Sequence, residues 1–178
     1  MSEEIKKLNE EGKKYFKEGN IEKAKECFKK GIELGDGYSA YCLGYIYKVE
    51  QNMEKAKEFF KKGIELGDGY SAGQLGDIYR EEGNIEKVKE IYTKGIELGS
   101  GYSAQELGDI YREEGNIEKA KETHIKGIDL GYKYCAGQLG DIYREEGNIE
   151  KAKEFYTKGV ELGSEYSEKQ LNELIKNK

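Results

Sequence analysis

The sequence predicts an all-α protein, a solenoid of antiparallel helix pairs with a 32-residue repeat and about eleven helices. Three observations carry this prediction. The block Asp-Ile-Tyr-Arg-Glu-Glu-Gly-Asn-Ile-Glu-Lys begins at Asp77, at Asp109 and at Asp141, with no drift in register. Within each period the apolar and small residues recur at helical spacing. Helix-capping side chains and glycines punctuate every period twice, and proline is absent. A period between about 20 and 50 residues marks a unit that cannot bury its apolar face alone and must stack on its neighbours.

In chain order, a first helix is expected at about residues 3–18, within an N-terminal segment 1–19. Four 32-residue units follow from Asn20 to Gly147, and a last hairpin runs from Asn148 to the C-terminus, so that residues 1–178 read as a single helical-repeat domain. In the unit Asn52–Gly83, Met53, Ala56, Phe60, Gly63 and Ile64 fall at i, i+3, i+7, i+10 and i+11, one face of a helix that Gly67 ends. Tyr70, Ala72, Leu75, Gly76, Ile78 and Tyr79 form the face of the second helix, and Gly83 supplies the left-handed residue that stops it. Asn20, Asn52, Asn84, Asn116 and Asn148 are placed to cap one helix of each unit, and Asp36, Asp68, Ser100 and Ser164 the other. Gly44, Gly76, Gly108 and Gly140 lie inside helices at a cost of about 1 kcal/mol relative to Ala, which points to close helix approach. The last helix, near Ser167–Lys178, carries Lys169, Asn172 and Glu173, the polar cap that an open solenoid end needs.

Charged residues make up 37% of the chain and apolar ones 36%, but the fixed place of the apolar residues in each repeat still builds a core. A net charge of −6 argues against nucleic acid, which needs a clustered cationic surface. No segment approaches the ~18 apolar residues of a membrane span, and the N-terminus is charged from its third residue, so a cytoplasmic protein is expected. Cys27, Cys42 and Cys135 occupy three different repeat positions and read as free thiols in a reducing compartment. His124 takes the core aromatic position held by Phe28, Phe60, Tyr92 and Tyr156; with no second histidine it reads as a core substitution, and no metal or cofactor is expected. No nucleophile elbow, phosphate loop or HExxH is present, and the glycines terminate or pack helices, so no enzyme is expected.

Leu75-Gly76-x-x-Tyr79 is followed, counting from the glycine, by Ala at +12 (Val88 in this copy), an aromatic at +16 and a small residue at +19. This pattern resembles the tetratricopeptide repeat, with a period about two residues shorter. Lys151-Ala-x-x-aromatic-Tyr-x-Lys158 and Ala72-x-x-Leu75-Gly76 resemble its Sel-one-like relative, although the usual tryptophan and the inter-helix insertion are missing and Gly stands for a customary Ala. The resemblance implies a right-handed superhelix acting as a non-enzymatic protein-interaction scaffold, in which the first helix of each pair lines a concave, peptide-gripping groove. Transferred position by position, it selects Tyr38, Tyr41, Tyr45 and Lys48, then Tyr70, Asp77 and Arg80, then Tyr102, Asp109 and Arg112, then Tyr134, Asp141 and Arg144 as partner-binding residues.

The first four lie at i, i+3, i+7 and i+10, on one helical face. Tyr41, Cys42, Tyr45, Lys48 and Val49 differ from the later copies, and tyrosine is enriched in binding anchors, so this face is the expected hot spot. The competing readings are that these residues pack on the first helix around Leu8 and Tyr15, that the recurrent tyrosines pack between repeats, and that Asp77 and Arg80 pair only with each other. A protein or peptide partner and a monomeric chain are expected; a designed or consensus-like array, or a self-assembling structural solenoid, with no natural ligand, are the alternatives.

Overall fold

The computed structural model describes residues 2–176. It contains eleven α-helices and, among the described residues, no strand: α1 Glu3–Lys17, α2 Ile21–Glu33, α3 Gly37–Val49, α4 Met53–Glu65, α5 Gly69–Glu81, α6 Ile85–Glu97, α7 Gly101–Glu113, α8 Ile117–Asp129, α9 Lys133–Glu145, α10 Ile149–Glu161 and α11 Glu165–Lys176. The last helix begins two residues before the expected Ser167, and Asn177 and Lys178 lie outside the described residues. The chain divides into two compact units, Met1–Leu98 with α1 to α6 and Gly99–Lys178 with α7 to α11.

With the exception of α9, the helices start where a side chain can satisfy the free N–H groups of a first turn. Asn52 Oδ1 accepts from the Lys55 N–H at 3.2 Å, and the Asn at 20, 84, 116 and 148 do the same three residues before their partners. Asp68 Oδ2 accepts from both the N–H and the hydroxyl of Ser71 at 2.7 Å. At Tyr132, which holds the equivalent place before α9, no side-chain cap bond forms; its side chain packs instead on Gly101, where an added Cβ would lie 2.5 Å from the Tyr132 Cβ and 2.9 Å from the ring. Glycines at positive φ end the helices, with one exception: Gln51 adopts φ +60 where Gly19, Gly83, Gly115 and Gly147 stand in the other copies.

Consecutive helices pack along the chain within each unit. In the first unit the buried aliphatic residues Leu43, Ile46, Leu75 and Ile78 of α3 and α5 meet Phe28, Phe60 and Tyr92 of α2, α4 and α6. The mid-helix glycines make this possible: a Cβ on Gly44 would lie 2.7 Å from the Phe60 ring, and one on Gly76 2.2 Å from the Tyr92 ring. The second unit repeats the arrangement, with Leu107, Ile110, Leu139 and Ile142 beside the buried His124 and Tyr156, which lie against Gly108 and Gly140. Leu75, Gly76 and Tyr79 thus sit at the inter-helix contact that their spacing predicts.

Candidate functional site

All thirteen residues selected from the sequence lie on α3, α5, α7 and α9, the helices that carry the Leu-Gly block. On α3 the three tyrosines form a continuous aromatic cluster. Tyr41 lies 5.7 Å from Tyr38 and 6.5 Å from Tyr45 between ring centroids, and reaches Phe60 at 6.2 Å and Tyr70 at 5.9 Å. Phe16 of α1 approaches Tyr45 edge-on at 6.3 Å. These rings, with the buried Phe28 and Ile46, enclose a pocket of about 210 Å³ into which Cys42 also projects. Burial pushes the Cys42 thiol up to about 11 and raises the Tyr38 and Tyr41 hydroxyls above the usual phenol range, so these three side chains are neutral at neutral pH and Lys13 is the charged residue of the lining.

The charged candidates make contacts within the chain. Tyr92 donates its hydroxyl to Asp77 at 2.7 Å, and Tyr156 donates to Asp141 at 2.6 Å. In both cases the carboxylate satisfies the polar end of a core ring that would otherwise be buried without a partner. Asp109 faces His124 instead, at 3.6 Å from Nε2, and neither imidazole nitrogen makes a hydrogen bond. Burial lowers His124 to about 4, with the Arg112 guanidinium adding to the effect, and raises Asp109 to about 6. The cations link successive first helices: Lys48 Nζ donates to Gln74 at 3.0 Å, Arg112 to Gln138 at 3.2 Å, and Arg144 to Gln170. Arg144 also pairs with Asp141 at 2.9 Å, the i, i+3 contact foreseen for this type of pair.

The remaining tyrosines are open to solvent to different extents. Tyr70 is 69% exposed and Tyr134 50%, while Tyr102 is half-buried and Arg80 exposed. Sequence reasoning missed Lys13, Phe16, Phe28 and Ile46 as pocket residues. The signal was present in the 32-residue alignment: Phe16 stands where later copies have Lys48, Arg80, Arg112 and Arg144, and Lys13 stands where they have Tyr45, Asp77, Asp109 and Asp141.

The solved structures to which this fold is similar are repeat proteins. A Sel1 repeat protein from Oxalobacter formigenes has 21% identity and a TM-score of 0.71, covering 94% of this chain and 74% of that one. The protective antigen c5321 of uropathogenic Escherichia coli, which displays an SLR fold, has 25% identity and a TM-score of 0.70 over 92% of this chain and 40% of its own. YrrB, a TPR protein with an unusual peptide-binding site, has 19% identity and a TM-score of 0.53, covering 92% and 95%. No curated protein matches the sequence. The family model for the tetratricopeptide repeat matches residues 8–34, 39–66, 70–98, 102–130 and 135–169. The first segment opens on α1 and the later ones at the helix with the Leu-Gly block, pairing α3 with α4 and α5 with α6; the division at Asn20, Asn52, Asn84 and Asn116 has the same period, one helix out of phase. Five successive matches take in most of the sequence, and the chain belongs to the tetratricopeptide repeat family.

Proposed function

We propose that the chain is a non-enzymatic scaffold that binds a peptide or protein segment on its first-helix face, the concave side of such arrays, with Tyr38, Tyr41 and Tyr45 as principal anchors. Repeats of this fold are generally protein-interaction scaffolds. The observation that carries the reading is the α3 cluster: three tyrosines around an apolar pocket of about 210 Å³, on the face where the family match begins a repeat. Rigid, amphipathic tyrosines bury large area at low entropic cost, which is why they recur among binding anchors. Tyr70 extends the face within the first unit, Tyr102 and Tyr134 hold the equivalent positions in the second, and Asp and Arg residues of each unit make the contacts described above. The same reading treats residues 1–178 as one repeat domain, because the 32-residue period runs through Leu98–Gly99 without a change of register, and takes the chain as monomeric and cytoplasmic. No helix among the described residues is long and apolar enough to cross a membrane.

Selection of random linear peptides displayed on phage, against the immobilised chain, tests the reading. Peptides are expected to be enriched, and Tyr41→Ala with Tyr45→Ala is expected to weaken them at least about tenfold while helicity by circular dichroism is retained. Unchanged binding by that double variant moves the site off α3. No enrichment, together with a size that grows with concentration in light scattering, favours a self-assembling solenoid instead; no enrichment with a constant monomer size favours an array without a ligand.

A further inference from the structure

We draw no further inference here: the strongest candidate, the apolar pocket between α1 and α3 lined by Phe16, Phe28, Cys42 and the α3 tyrosines, belongs to the site already described, and nothing in the structure shows what else would cover it.

Discussion

Tyr156 of α10 donates its hydroxyl to Asp141 of α9 at 2.6 Å, and Tyr166 of α11 donates to the other oxygen of the same carboxylate at 2.6 Å. One nearly buried aspartate therefore ties three helices together at the end of the array. Burial, and then the carboxylate that accepts their protons, raise both phenols, Tyr166 to about 12. Tyr156→Phe removes one of these bonds without opening a cavity, and is expected to cost about 1–2 kcal/mol, the range for a hydrogen bond to a charged group when the acceptor keeps other partners. Urea melts of the variant check it. An unchanged midpoint would mean that the hydroxyl is solvated and that Asp141 faces the binding side.

Gly76→Ala sets two effects against each other. At an open helix position the added methyl stabilises by about 1 kcal/mol through propensity. Here the new Cβ would lie 2.2 Å from the Tyr92 ring, which is fully buried and has no room to retreat. Overpacking of this kind costs about 1–3 kcal/mol, so a net loss is expected in thermal or urea melts, and a larger one for Gly76→Leu. A gain in stability would show that α5 and α6 separate easily.

Most of the fold was legible because the repeat restates the same local chemistry: Asn caps, Gly stops and the Leu-Gly-x-x-Tyr face each signal once per period. The pairing of Asp77 with Tyr92 and Asp141 with Tyr156 was not, because the partners are 15 residues apart on different helices and helical periodicity relates only neighbours on one helix. The clue lay in the exchange between copies, since Phe60 faces the Tyr45 position and the tyrosines face Asp. Tyr41 and Tyr45 were identifiable as unusual, but the pocket required Phe16, whose contact with Tyr45 crosses from α1 to α3. The face on which a residue falls can be read from spacing; a cavity needs the relative depth of two helices.

Gln51 gives a stabilising prediction. It holds φ +60, a left-handed conformation that costs a side-chain-bearing residue about 1 kcal/mol and that glycine adopts freely at Gly19, Gly83, Gly115 and Gly147. Gln51 is exposed, so no packing is lost on replacement. Gln51→Gly is expected to raise stability by about 0.5–1 kcal/mol. A lower melting temperature in that variant would mean that the Gln side chain contributes more than its backbone costs.

The final prediction concerns the buried His124 and the half-buried Asp109 beside it, whose titrations oppose each other. His124 titrates near 4 in the folded chain, against about 6.5 when unfolded, so its contribution is complete above pH ~6.5 and declines as pH falls toward 4, because the unfolded chain takes up the proton first. Asp109 titrates near 6 folded, against about 3.9 unfolded, so its contribution is complete below pH ~3.9 and is lost as pH rises through 6. Between about pH 4 and 6 the two slopes cancel in large part, and each single variant exposes the slope of its partner. Relative to the unsubstituted chain, Asp109→Asn leaves the histidine and is expected to lose stability from pH 6.5 to 4.5. His124→Phe, which restores the residue type of Phe60, leaves the carboxyl and is expected to gain stability over the same interval. The two departures should be of opposite sign and of order 1–2 kcal/mol. His124→Tyr is expected to be the most stable of the set at pH 7, by about 1 kcal/mol, since its hydroxyl reaches Asp109 as Tyr92 reaches Asp77 and no unpartnered ring nitrogen remains. Urea melts at pH 7, 5.5 and 4.5 distinguish the cases: departures of the same sign for Asp109→Asn and His124→Phe would show that water reaches the pair.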